Sequence, residues 1–179
     1  MRFKLLQSET VFEGRVFKVR RDQVELPNGK QAVLDIVEHR AAVTLLPLDE
    51  KRQIWFVRQY RHAAGEEVLE LPAGVLEAGE DPEIGAQREV REEIGMAAGK
   101  MTKLGEFFLA PGYTTEYMHA FLASELKPDP LEMDEDEFLS VEKVPAEEAY
   151  RMALQGEIRD AKSLATLMIA RPLVFPATR

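Results

Sequence analysis

Apolar and polar positions change their period several times along the 179-residue chain, and each change marks an element. Within Thr10 to Glu25 the side chains alternate in places, with Val16, Lys18 and Arg20 on one side of an extended chain and Phe17, Val19 and Arg21 on the other. Pro27-Asn28-Gly29 offers a tight turn, and Gln31 to Glu38 resumes the extended pattern, which predicts an antiparallel β-hairpin. A lone hairpin buries too little apolar surface to be stable. It is therefore expected to pack on the main domain or on a second copy of the chain, and we take the contact between copies as the expectation.

Further on, Ala42 to Leu48 and Gln53 to Gln59 read as short apolar strands around the polar turn Asp49 to Arg52, and Glu67 to Leu71 as another. The period then switches to that of a helix. Asp81 suits an N-cap, Pro82 suits a first turn that needs no N–H, and Gly95 suits a left-handed C-terminal position, which together predict a helix over Pro82 to Ile94. Beyond it, Leu104 to Leu109, Tyr117 to Leu122 and Phe138 to Val144 read as strands. Helices are expected near Pro145 to Gln155 and Ala161 to Ala170, the second with a packing stripe of Ser163, Leu164, Leu167 and Met168.

On the predicted helix at Pro82, Ala86, Val90 and Ile94 form a narrow apolar stripe, while Glu89, Glu92 and Glu93 crowd a neighbouring face. Like charges three or four residues apart oppose helix formation by roughly 0.2–0.5 kcal/mol per pair. A cation among these acids removes that conflict, and a divalent ion suits it. A solvated acidic face paired with Arg88 and Arg91 is the bland reading of the same run.

Composition narrows the function. The net charge of −9 and the scattered basic residues argue against a nucleic-acid partner and leave a small phosphorylated substrate. The chain has no cysteine, no signal-peptide pattern and no apolar run near the roughly 18 residues of a membrane helix. A cytoplasmic protein without a membrane partner is expected. His39 and His62 lack the neighbours of a nucleophilic triad and are left out of the chemistry.

The spacing from Gly74 through Glu80, Arg88, Glu89, Val90, Glu92, Glu93 and Gly95 to Met96 is G-x5-E-x7-R-E-U-x-E-E-x-G-U, U being aliphatic, and it resembles a complete Nudix box. Ala110-Pro111-Gly112, with Pro111 at the expected distance past the box, Glu116 and the acidic run Asp134 to Glu137 extend the similarity to the ADP-ribose pyrophosphatase branch of Nudix hydrolases. The resemblance implies an α/β fold, a Nudix α/β/α sandwich with a mixed β-sheet, carrying the N-terminal antiparallel β-hairpin as an extension. It divides the chain into residues 1–38, a dimerisation element, and 39–179, the hydrolase domain.

What the resemblance implies for chemistry is hydrolysis of the pyrophosphate bond of ADP-ribose, to AMP and ribose 5-phosphate, or of a related nucleoside diphosphate sugar, by a homodimer. The Ala73 carbonyl, Glu89, Glu92 and Glu93 would hold Mg²⁺ or Mn²⁺, roughly two or three ions per site. Gly74, Glu80, Arg88 and Gly95 would shape the box, Glu80 as the ion-pair partner of Arg88. The base is placed in the acidic run at Glu135, with Glu137 as the alternative and Glu92 nearby. Arg58 and Arg61 are candidates for phosphate, since guanidinium forks match phosphate oxygens. Pro111, Gly112 and Glu116 would border the nucleotide or ribose, and Phe17 or Phe12 would stack on the base. The box reads metal and phosphate rather than base, so a nucleoside diphosphate hexose or an oxidised nucleoside triphosphate remains open as substrate, as does a non-catalytic nucleotide-sensing module.

Overall fold

A computed structural model describes residues 2–132 and 138–176 of the chain. The chain forms two compact units: Met1–Ala41 with Phe107–Tyr117, and Ala42–Glu106 with Met118–Arg179.

The first unit is built on a three-stranded antiparallel sheet in the order β1 (Lys4–Glu13), β2 (Lys18–Glu25), β3 (Gln31–Glu38). The expected hairpin is β2–β3, in register from Lys18 opposite Glu38 to Glu25 opposite Gln31. Gly29 at its turn has φ 79°, a conformation that costs glycine nothing. The run from Thr10 to Glu25 does not stay extended throughout. It breaks at Gly14, whose N–H donates to the Phe17 carbonyl, and everything before the break returns as β1. All ten residues of β1 are solvent-exposed, so no buried face imposed an alternating pattern on them and the strand was not legible by period. Within this sheet Asp22 is buried, receiving the Ser8 hydroxyl and the Arg20 guanidinium, while Arg20 also reaches Glu38.

The second unit holds a four-stranded mixed sheet and a three-stranded antiparallel one. The first has the order β7 (Ala73–Val75), β4 (Ala42–Pro47), β9 (Tyr117–Pro128), β8 (Met96–Phe108). β4 pairs antiparallel to β7 and parallel to β9. The second has β5 (Gln53–Arg61) between β10 (Leu139–Pro145) and β6 (Glu66–Glu70). Every residue of β4 is buried. Side chains alternate along a strand, so Leu46 joins a core with Phe56, Leu71, Leu122, Ile158 and Leu167, to which α2 (Ala146–Gln155) and α3 (Ala161–Val174) contribute. Val43 and Leu45 serve the other face, and α1 (Pro82–Ile94) also packs on β4 and β7. The result is the expected α/β/α arrangement on a mixed sheet.

Helix α1 starts and stops where its sequence says. Asp81 accepts from the Glu83 and Ile84 N–H groups, a cap worth about 1 kcal/mol. Gly95 is left-handed at φ 69° and donates its N–H back to the Val90 carbonyl. The buried face consists of Gly85, Ala86, Val90 and Ile94 together with two acids, Glu89 and Glu93. Two buried acids on an otherwise apolar face demand a local explanation, and the candidate site supplies it.

Candidate functional site

Short strand β7 lies antiparallel to β4, with Ala73 opposite Thr44 and Gly74 opposite Val43, and so delivers Ala73 and Gly74 beside α1. There the contact is close. A Cβ built on Gly74 would stand 1.9 Å from the Glu89 carboxyl carbon, so only glycine lets that acid lie against the strand. The Glu93 carboxylate accepts from the Ala73 N–H at 2.9 Å. Glu89 and Glu93 are 5% and 4% exposed, which places two carboxylates where burial alone would disfavour their charge.

Arg88 supplies part of the compensation. Its guanidinium donates through Nη1 to Glu89 at 2.6 Å and Glu92 at 2.8 Å, and through Nε and Nη2 to both oxygens of Glu80 at 3.1 Å. The hydrogen bonds to Glu80, together with the charge of Glu89 and the hydrogen bonds to Glu89 and Glu92, raise its pKa further above the ordinary arginine value against the opposing effect of burial. In return, the bond from Arg88 holds Glu80 below the usual glutamate range. Glu80 also accepts from the Glu77 N–H, which fixes the loop leading into the helix.

Among the described residues, no three histidine or acidic side chains form a ready-made ion cage, and Arg88 pairs with three of the acids of the box. The donor set nonetheless fits a hard divalent cation. It offers the carboxylate oxygens of Glu89, Glu92 and Glu93, with Glu89 lying against a glycine where any side chain would collide with it.

Elsewhere in this unit, Arg58 on β5 donates to both oxygens of Glu142 on β10. Arg61 forms a fork on Glu70, with Nε at 2.8 Å and Nη2 at 2.6 Å. Burial pushes the Glu70 carboxyl up, but Arg61 and Lys162 together outweigh that and hold it below the ordinary glutamate value. Glu70 and Lys162 were not singled out from sequence. The available signal was Glu70 itself, an ionisable residue between Leu69 and Leu71, whereas Lys162 in Asp160-Ala161-Lys162-Ser163 reads as an ordinary helix start.

The first unit holds the remaining described candidates. Phe17 lines a cavity of about 480 Å³ with Arg15, Lys18, Glu38, His39, Arg40 and Thr115. Phe12 packs on Phe17 with ring centroids 5.9 Å apart and does not line that cavity. Pro111 and Gly112 lie exposed in a turn closed by the Tyr113 and Thr114 N–H groups on the Ala110 carbonyl. Glu116 is half-buried, its N–H on the Thr114 hydroxyl and its carbonyl accepting from Leu109. Glu135 and Glu137 lie outside the described residues.

A strand and glycine pressed against an acid-bearing helix, on an α/β/α scaffold, define a phosphate-chemistry platform, and comparison with known proteins agrees. The NUDIX domain model matches residues 38–167, and the chain belongs to the Nudix family. A second model, the nucleoside diphosphate sugar hydrolase N-terminal domain, matches residues 3–33. The chain is 41% identical to an ADP-ribose pyrophosphatase of Bacillus subtilis (strain 168), over 89% of this chain and 88% of that one. It is 37% identical to a methanol dehydrogenase activator of Bacillus methanolicus, over 90% and 88%. A crystal structure of an ADP compounds hydrolase superposes with a TM-score of 0.88 at 27% identity, covering 97% of this chain and 95% of that one.

Proposed function

We propose that this protein hydrolyses the diphosphate linkage of ADP-ribose, or of a closely related nucleoside diphosphate sugar, giving AMP and ribose 5-phosphate in the first case. The observation that carries the reading is the pair of buried acids, Glu89 and Glu93, held against Ala73 and Gly74 with Arg88 among the acids of the helix. The similarity to an ADP-ribose pyrophosphatase favours that substrate.

In this reading the Ala73 carbonyl, Glu89, Glu92 and Glu93 hold Mg²⁺ or Mn²⁺, two or three ions on the pattern of about two in multi-metal hydrolases. Bound there, such ions neutralise charge on the diphosphate and lower the pKa of water. Arg88 holds Glu89 and Glu92 in register and, through Glu80, pins the loop before the helix. Arg61 contributes its Nη1 to a phosphate oxygen, its Nε and Nη2 being held by Glu70. Arg58 is the second candidate. Water attacks phosphorus, one P–O bond forms, the bridging P–O bond breaks, and Glu135 or Glu137 takes the water's proton, with Glu92 as a further candidate. Phe17 and its cavity, together with Pro111, Gly112 and Glu116, serve the nucleoside end.

We further propose residues 1–38 as a dimerisation element beside a hydrolase domain of 39–179, in a cytoplasmic homodimer. Exposed Leu5, Leu6, Val11, Phe12 and Val33 on the first sheet, with Phe3 just before it, support a second copy as its partner. No described helix is long and apolar enough to cross a membrane.

The test is product analysis. Purified protein with Mg²⁺ should release AMP and ribose 5-phosphate from ADP-ribose, faster than it cleaves nucleoside diphosphate hexoses or nucleoside triphosphates, and a chelator should abolish release. Turnover indifferent to chelator, or pyrophosphate as the main product from triphosphates, overturns the reading. A sensing module that binds ADP-ribose without cleaving it is opposed by the retention of Glu89, Glu92 and Glu93.

A further inference from the structure

A second polar cluster surrounds Glu70, and of it the reading above uses only the pairing of Arg61 with Glu70. Glu70 is 3% exposed and receives two cations, the Arg61 fork and the Lys162 ammonium, the latter itself 8% exposed. Lys162 also donates to Asp160 at 2.9 Å. Asp160 caps α3 by accepting from the Ser163 N–H, and it accepts the Ser163 hydroxyl. That hydroxyl in turn accepts from the Leu71 N–H at 2.7 Å. Adjacent residues of strand β6 and its exit, Glu70 and Leu71, are thus gripped by adjacent residues of helix α3, Lys162 and Ser163.

The Ser163 half of this clamp already satisfies the buried Leu71 amide, and Asp160 already caps the helix. Neither task needs Lys162. A buried ion cluster is moreover a poor way to gain stability, since apolar residues of the same volume commonly do as well. What the ammonium does uniquely is fix the orientation of the Glu70 carboxylate. Because a guanidinium is planar and rigid, a carboxylate that holds Nε and Nη2 also fixes where Nη1 lies. The hydrogen bond and charge of Glu70 raise the Arg61 pKa against the effect of burial, and the charges of Glu93 and Asp160 add to it, so Arg61 stands within electrostatic reach of Glu93 on α1.

We propose that Lys162 is a positioning residue for substrate: it orients Glu70, and Glu70 aims Arg61 at a phosphate oxygen. This rests on the reading of Arg61 as a phosphate ligand.

The experiment is a double-mutant cycle on ADP-ribose at saturating Mg²⁺, comparing wild type, Lys162→Met, Lys162→Arg, Arg61→Ala and Lys162→Met/Arg61→Ala, with a thermal melt of each. KM and kcat are measured, and the Kd for ADP-ribose is read by calorimetry with Mg²⁺ withheld. Loss of one charge-assisted orienting bond should raise KM and Kd by roughly tenfold in Lys162→Met, with kcat within about threefold of wild type. Lys162→Arg should recover most of the loss, and Lys162→Met should add nothing once Arg61 is absent. A folded Lys162→Met with wild-type KM and Kd overturns the proposal, as does the same factor in the Arg61→Ala background or a loss confined to kcat. Should Lys162→Met fail to fold, Glu70→Gln replaces it in the same cycle with the same criteria. A wild type that binds ADP-ribose without cleaving it refutes the functional reading alone, and the cycle is then decided on Kd. A wild type that neither binds nor cleaves it refutes both.

Discussion

The two ionic clusters of the larger unit are made of the same residue types at different charge balances. Around Arg88, three carboxylates (Glu80, Glu89, Glu92) share one guanidinium. Around Glu70, two acids (Glu70, Asp160) meet two cations (Arg61, Lys162). A balanced buried cluster is at its electrostatic optimum without a further ion, so it can hold Arg61 in one fixed direction. A cluster rich in acid is at its optimum only with a further cation. The contrast teaches that burial and ion pairing alone do not tell a cation site from a side-chain positioning cluster; the ratio of charges does.

The comparison breaks most visibly if the balanced cluster loses its centre. Replacing Glu70 with alanine leaves a buried ammonium facing only Asp160 and should destabilise the fold by about 3 kcal/mol in urea titrations. In the acid-rich cluster the expected cost falls on activity. Glu89→Gln or Glu93→Gln should lower kcat by about two orders of magnitude or more, while thermal melts move little because each change also relieves like-charge crowding.

Gly74→Ala sharpens the distinction further. The added methyl would displace the end of the Glu89 side chain rather than backbone, so folding should survive while kcat falls by roughly tenfold. The smallest effect is on the pH dependence of stability. The Glu70 carboxyl is held below the ordinary value of 4.5, so the unfolded state binds more protons as pH falls. Its contribution is present above that value and is lost progressively below it. Urea midpoints measured from neutrality to about pH 3 should therefore decline less steeply in Glu70→Gln than in wild type, where the depressed carboxyl adds to the slope.

Much of this was legible in residue order, for local reasons. The limits of α1 follow from Asp81, Pro82 and Gly95, all within a turn of the helix ends. The crowding of Glu89, Glu92 and Glu93 follows from helical periodicity alone. Two things were out of reach. β1 has no buried face, so its residues carry no period to read. The partners in the balanced cluster lie 92 residues apart, from Glu70 to Lys162, and no local rule connects them. Arg61 shows the boundary between the two cases: its residue type pointed to phosphate, but its bidentate hold on Glu70 required the fold.

The central claim is that the buried acids of α1 beside Ala73 and Gly74 form a divalent-cation site. Calorimetric titration of Mn²⁺ into metal-free protein tests it most directly. Saturable binding that weakens by at least about tenfold in Glu89→Gln and in Glu93→Gln is the predicted result. Binding of unchanged affinity with both glutamates replaced, or no binding by the wild-type chain with or without ADP-ribose, would contradict it.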